Sequence, residues 1–266
     1  MVIFLSEPNP IICCFSIIHI SLLIMKGKLF KIYLSECIGT GLLVLAGLSI
    51  VIFVNGTGSP ILAWIPAEGV RRAITGFLFG TTGCLITLSP VGKISGAHIN
   101  PIVSLAFWMK KKLSYSHTLG FILAQMAGSV IGALPLLLWG RQGASVNFGA
   151  TVPITGGTAA AFAGEVITSF LLIAGIFFFT GHRMLRRYTP YLMPVLYCIM
   201  VYAEGPLSGT STNPARSFGP AVVSGVWTAY WLYWIAPLTG AVIAVGLFEM
   251  PFFWKWHIKV PKLYQR

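Results

Sequence analysis

The sequence predicts an all-α membrane protein, with six transmembrane helices plus two re-entrant half-helices arranged as an inverted 3+3 repeat. Three observations predict it: an apolar composition, two Asn-Pro segments too short to span a bilayer, and a correspondence between the two halves. The 266 residues are 56% hydrophobic and 9% charged, with a mean hydropathy of +0.83. An ordinary soluble domain carries about 25% charged residues. So few charges cannot cover a soluble core of this size, which excludes soluble enzymes and disordered chains. The apolar runs are long and the aromatics do not alternate with polar residues, so helices fit better than a barrel.

A spanning helix takes ~20 residues, which leaves room for six. They are read at 32–54, 72–88, 117–139, 159–180, 190–202 with a continuation to about 204, and 227–252. The fifth is short and is read as beginning within 187–190. Two further segments, 100–108 and 213–224, each open with Asn-Pro after a Ser/Gly-rich approach. Asn is a good N-cap and Pro suits the first helical position. At membrane depth such an abrupt start is tolerated only inside protein or along a wet cavity, so both are read as half-helices.

The charges give topology. There are 18 Lys+Arg against 6 acidic residues, all Glu, for a net charge of +12. They sit between apolar runs, so they are read as loop charges, not as a nucleic-acid surface. Fourteen fall on one side: Lys26, Lys28, Lys31, Lys93, Lys110, Lys111, Lys112, Arg183, Arg186, Arg187, Lys255, Lys259, Lys262 and Arg266. Four fall on the other: Arg71, Arg72, Arg141 and Arg216. The bias places both termini in the cytoplasm.

The five cysteines (Cys13, Cys14, Cys37, Cys84, Cys198) lie in apolar stretches without a CxxC or Cys/His cluster, which disfavours disulfides and zinc. The apolar stretch 11–25 is short for a span and lacks the basic lead of a signal peptide. Met25, followed by Lys-Gly-Lys, is read as the natural start, with 1–24 an upstream extension. The expected division is an N-terminal segment 1–31, a first repeat 32–139, an extracellular loop 140–158, a second repeat 159–253 and a basic cytoplasmic tail 254–266.

The repeat rests on three matches in order. Glu36, Ile38, Leu42 and Leu43 coincide with Glu165, Ile167, Leu171 and Leu172 at an offset of 129. Ser95-Gly96 with Asn100-Pro101 matches Ser208-Gly209 with Asn213-Pro214 at an offset of 113, and Gly128, Val130 and Ile131 match Gly240, Val242 and Ile243 at 112. Three spans per half is an odd number, so the halves enter from opposite sides. The two half-helices then meet near the midplane with their N-termini facing, each carrying roughly half a positive charge. A passage there is hostile to cations, while the Asn amides can donate to a neutral polar molecule.

Ser95-Gly96-Ala97-His98-Ile99-Asn100-Pro101-Ile102 and Asn213-Pro214-Ala215-Arg216-Ser217-Phe218-Gly219-Pro220-Ala221 resemble the two signature loops of the aquaporin (major intrinsic protein) family. The resemblance runs over about 33–250. It implies a passive channel in the cell membrane for water, with small uncharged solutes as further substrates and protons and ions excluded. It also implies a homotetramer in the lipid bilayer, with no enzyme activity, no cofactor and no nucleic-acid partner. The selectivity of such pores through diameter, donors and an electrostatic barrier is already established for aquaporin-type proteins.

By resemblance, the pore motifs are Asn100, Pro101, Ile102 and Asn213, Pro214, Ala215. Ile102 departs from the usual Ala and is expected to repack the half-helix in preference to narrowing the pore. Arg216 is implied as the Arg of the outer constriction. A charge at membrane depth costs from about 3 to more than 10 kcal/mol, so it needs partners. Counting back from the motifs adds Thr210, Val201 and Gly80 to that ring, or Phe79 in place of Gly80 if a loop differs in length. His98 is expected in the cytoplasmic vestibule. Glu36 and Glu165 are expected to accept hydrogen bonds from the re-entrant loop backbones.

Substrate signals diverge. Val201 stands where strict water channels usually have His, and Gly80 would widen the ring. Ser217, Ala221, Tyr233 and Trp234 match the water-type pattern. Water is read as primary. The alternatives are a broader glycerol facilitator, a proton-coupled transporter using Glu36 and Glu165, and a closed structural protein.

Overall fold

The computed structural model describes residues 10–252. The basic tail expected at 254–266 lies outside the described residues, as do the first nine residues of the segment expected to precede Met25. Helix α1 (Pro10–Asn55) contains the first crossing segment, Leu29–Asn55. A short α2 (Pro60–Trp64) leads to α3 (Glu68–Leu88), α4 (Pro90–Ser95) and the first half-helix, α5 (Pro101–Met109). Then come α6 (Tyr115–Ala133), a short α7 (Gly140–Ala144), α8 (Thr158–Gly181) and α9 (Thr189–Ser208). The second half-helix, α10 (Pro214–Ser224), and α11 (Leu232–Leu247) complete the bundle.

The third span bends into a 3-10 segment at Leu134–Trp139, because Pro135 removes a backbone donor and crowds the preceding turn. The fifth is longer than its strict reading. Pro190 sits in its first turn and Pro194 and Pro206 are accommodated within it, so proline did not end it. The sixth is shorter than the expected 227–252. Turns occupy 228–231, where Ala229 has φ of 48°, and the helix closes at Leu247. At ~1.5 Å per residue, α3 and α9, of 21 and 20 residues, each measure about 30 Å, the thickness of a bilayer core.

The packing obeys a pseudo-two-fold relation. Helix α1 packs on α6 as α8 packs on α11, α1 meets α3 as α8 meets α9, and α3 packs on α9 across the axis. Both long pairs are cinched at the glycines of the repeat. A Cβ on Gly128 would run into the Cys37 carbonyl, and one on Gly240 into the Val166 carbonyl. Cys37 and Val166 each follow the repeat glutamate of their helix, so the same backbone approach is made twice. Small residues at these crossings let helices pack without a hydrophobic driving force from water.

Two apolar clusters fill the bundle. One gathers Ile32, Ile102, Phe107, Phe121, Phe177 and Phe248 around α5. The other gathers Leu48, Ile52, Phe79, Leu172, Tyr197 and Met200.

Candidate functional site

The half-helix N-termini meet, and the geometry is duplicated. Asn100 caps α5, its Oδ1 accepting from the Ile102 N–H at 2.8 Å, and Asn213 caps α10, accepting from Ala215 at 3.0 Å. Each amide also donates across the junction. Asn100 Nδ2 reaches the Thr212 carbonyl and Asn213 Nδ2 the Ile99 carbonyl, both at 2.9 Å. An amide NH2 has two hydrogens. One from each Asn ties the loops together, and the other is available to the cavity that both residues line.

The approach loops repeat one backbone. Gly96 and Gly209 have φ of 89° and 82°, and Ala97, Ile99, Thr210 and Thr212 all lie at φ between 42° and 52°. Left-handed backbone is rare for non-glycine residues and an outlier for β-branched ones. It is held here by the two buried carboxylates. Glu36 accepts from the N–H of His98 at 2.9 Å and of Ile99 at 2.7 Å, and from Gln125 Nε2 at 2.7 Å. Glu165 accepts from the N–H of Ser211 at 2.5 Å and of Thr212 at 2.8 Å, and from Ser208 Oγ at 2.6 Å. His98 and Ser211, and Ile99 and Thr212, are repeat partners at the offset of 113. Every oxygen of both carboxylates is engaged with loop donors, the geometry expected of structural anchors.

Two cavities flank the junction. One, about 200 Å³, is lined by Asn100, Asn213, His98, Val103 and Thr180 among others. The other, about 250 Å³, is lined by Arg216, Thr210, Val201, Phe79, Arg72 and Glu68 among others. Arg216, Thr210 and Val201 therefore come together as counted from the motifs. The fourth member is Phe79. Its ring centroid is 5.8 Å from the Arg216 guanidinium carbon. Gly80 lines the cavity of the Asn pair instead, and a Cβ there would meet the Met193 carbonyl and Pro194 Cα where α3 packs on α9. Of the two residues weighed for this position, Phe79 lines the cavity of Arg216 and Gly80 does not.

Arg216 is 5% exposed, and its Nη1 donates to the Gly149 carbonyl at 2.7 Å. That carbonyl is presented by three successive left-handed residues, Asn147, Phe148 and Gly149, with φ of 49°, 51° and 80°. The expected connecting loop 140–158 thus supplies a partner for the buried charge, which the motif alone did not reveal.

Ile102 is fully buried in the cluster around α5 and lines neither cavity, as repacking requires. Pro101, Pro214 and Ala215 are likewise buried. His98 stacks near Phe107 and Phe121, with ring centroids at 4.9 and 5.0 Å, and its Nδ1 lies 3.0 Å from Ser104 Oγ. Its Nε2 makes no hydrogen bond within the protein, and the residue lines the cavity of the Asn pair.

Sequence reasoning missed Gly47. A Cβ there would lie 2.6 Å from both Phe79 Cδ2 and Cε2, so the absence of a side chain seats the ring. Gly47→Ala must displace the Phe79 ring. The expected result is a several-fold change in the rate of osmotic shrinkage per folded copy, read by light scattering in proteoliposomes. Wild-type flux in the folded variant would show that Phe79 does not border the path.

Comparison with known proteins agrees with this geometry. A family profile described as Major intrinsic protein matches residues 24–248. Aquaporin-4 of Mus musculus is 32% identical over 229 residues, covering 84% of this chain and 68% of that protein. Probable aquaporin TIP2-2 of Arabidopsis thaliana is 33% identical over 226 residues, covering 80% and 84%. Aquaporin NIP1-1 of Zea mays is 36% identical over 171 residues, covering 62% of this chain and 58% of that protein, so the matched region spans little more than half of that relative. An X-ray structure of the aquaglyceroporin from Plasmodium falciparum superposes with a TM-score of 0.71 at 17% identity, covering 84% of this chain and 97% of that one, which is a likeness of fold. The half-helices, their carboxylate anchors and these matches agree: the chain belongs to the major intrinsic protein family, a family of integral membrane proteins.

Proposed function

We propose that the protein is a passive membrane pore for water, with small uncharged solutes as secondary substrates and protons and ions excluded. The observation that carries this reading is the pair of cavities that share Phe79 and Tyr197 in their linings. One holds the Asn100/Asn213 amides and the other the Arg216/Phe79/Val201/Thr210 ring. A molecule in transit meets donors at both stations, the fixed guanidinium charge at one and two half-helix N-termini at the other. A hydrated cation loses its shell there and finds positive potential in return. Phe79 in the ring supports water over larger solutes, while Val201 leaves one wall apolar and supports some tolerance of neutral solutes.

A coupled transporter needs carboxylates that reach the path. Glu36 and Glu165 line neither cavity and spend their oxygens on the loops, and Glu68, which lines the outer cavity, is ion-paired with Arg72 at 2.5 Å. In keeping with the fourteen-to-four distribution of basic residues, both termini are assigned to the cytoplasm. The assembly is assigned as a homotetramer with one pore per copy.

The test is stopped-flow light scattering on proteoliposomes, first with an impermeant osmolyte and then with glycerol. Fast shrinkage with a low activation energy and no glycerol re-swelling is expected. Re-swelling with glycerol would replace this reading with a broad solute facilitator. Shrinkage no faster than in empty liposomes would overturn the channel itself.

A further inference from the structure

Two residues alone line both cavities, Phe79 and Tyr197. Phe79 belongs to the outer ring. Tyr197 lies on α9 one turn inward of Val201, and residues four apart share a helix face. Its ring centroid is 5.5 Å from that of Phe79 and the residue is 8% exposed. The phenol is tied at its tip. Its oxygen lies 2.9 Å from Thr212 Oγ1, whose own hydrogen is directed at the Ser211 carbonyl at 2.7 Å. A threonine hydroxyl has one hydrogen, so Tyr197 donates and Thr212 accepts. Thr212 is in turn fixed by Glu165 through its N–H and by Asn100 through its carbonyl. The backbone at Tyr197 is packed closely on α3, since a Cβ on Gly76 would run into the Tyr197 carbonyl.

We infer that Tyr197 is a second specificity-determining residue. With Phe79 it forms an aromatic constriction between the Arg216 ring and the Asn pair, which limits the size of the neutral solute that passes. This rests on the pore reading above. A ring tied at its hydroxyl cannot swing aside without giving up that hydrogen bond, so it acts by excluding volume. Its phenolic oxygen, having given its hydrogen to Thr212, is left as an acceptor. That suits water, which arrives from Arg216 with hydrogens to donate. It does not suit the carbon face of a polyol.

The two constrictions act in series, so the test removes the outer one first. Wild type, R216V, Y197V and the double variant are reconstituted and compared on water, urea, glycerol and a four-carbon polyol. Elution and thermal midpoint in detergent confirm that each is folded. The expected result is a double variant that passes glycerol roughly tenfold faster than R216V alone, a barrier lower by about 1.4 kcal/mol. A double variant carrying Phe in place of Tyr197 keeps the ring and is expected to fall well short of that gain. A folded double variant no more permeable to glycerol than R216V overturns the proposal. Wild type that already passes glycerol overturns the preference for water but not this proposal, which is then read from the four-carbon polyol in the same comparison. Folded wild type that passes nothing overturns both.

Discussion

Arg216→Val is expected to give the largest change in what the pore admits: urea permeability at least roughly tenfold above wild type, a barrier lower by about 1.4 kcal/mol, together with a measurable proton leak. The guanidinium is buried, its Nη1 is committed to the Gly149 carbonyl, and Phe79 stands over it. It therefore occupies one place in the ring and does not sweep the opening. Valine removes that bulk, the remaining donors to the permeant and the positive charge together. The Coulomb barrier to a cation scales inversely with distance and local dielectric, and this charge lies in the ring itself. The half-helix N-termini at the Asn pair remain, so the leak stays far below that of an open ion pore. Urea entry followed by stopped-flow, with an internal pH dye under an imposed proton gradient, reads both effects. Unchanged urea and proton permeability in folded R216V would remove Arg216 from the selectivity ring.

The anchors and the filter differ in how far the sequence reveals them. The motif residues, both carboxylates and the glycines Gly128 and Gly240 were legible because the repeat displays each of them twice. A residue required by the same backbone geometry in both halves recurs at the same offset. Left-handed backbone at Ala97, Ile99, Thr210 and Thr212 was not legible, since none of these residue types favours it. It is imposed by Glu36 and Glu165 from other helices.

The lining of the outer cavity was legible only from its α10 side. Thr210 and Arg216 lie within three residues of Asn213, and Val201 is reached through one uninterrupted helix and a short loop. Phe79 lies beyond the turn at Ser89 and helix α4, across which a count back from Asn100 has no fixed register. Tyr197 carried a signal that went unused, namely its spacing of four from Val201. Gly149 carried none, because a loop carbonyl that satisfies a buried charge leaves no mark on residue type. Ser217, a water-type signal, turns out to sit outside the cavities, bonded to Thr151 at 2.7 Å and Ser211 at 2.6 Å. Tyr233 supports the loop by donating to the Ser208 carbonyl at 2.8 Å. These two residues bear on how the second loop is braced, and only through that on what passes.

Glu36→Gln and Glu165→Gln are expected to cost the most stability while leaving flux per folded copy near wild type. Each carboxylate receives three donors on two oxygens: His98 N–H on one oxygen of Glu36 with Ile99 N–H and Gln125 on the other, and Thr212 N–H on one oxygen of Glu165 with Ser211 N–H and Ser208 on the other. A glutamine offers one acceptor and one NH2. Whichever way the amide is turned, at least one backbone N–H of the loop faces another donor in a fully buried site. An unsatisfied buried donor costs ~1–3 kcal/mol, and more where a charged partner is lost. Glu→Ala strands all three donors and is expected to prevent recovery of folded protein. Neither carboxylate lines a cavity, so the folded fraction of each Gln variant keeps the Asn pair and the filter where they are. Thermal midpoints in detergent read the first effect, and stopped-flow flux normalised to folded protein reads the second. The pairing of the two results separates the readings: a proton-coupled transporter loses flux outright with Glu36→Gln even in folded protein, whereas a passive pore loses copies and keeps its rate.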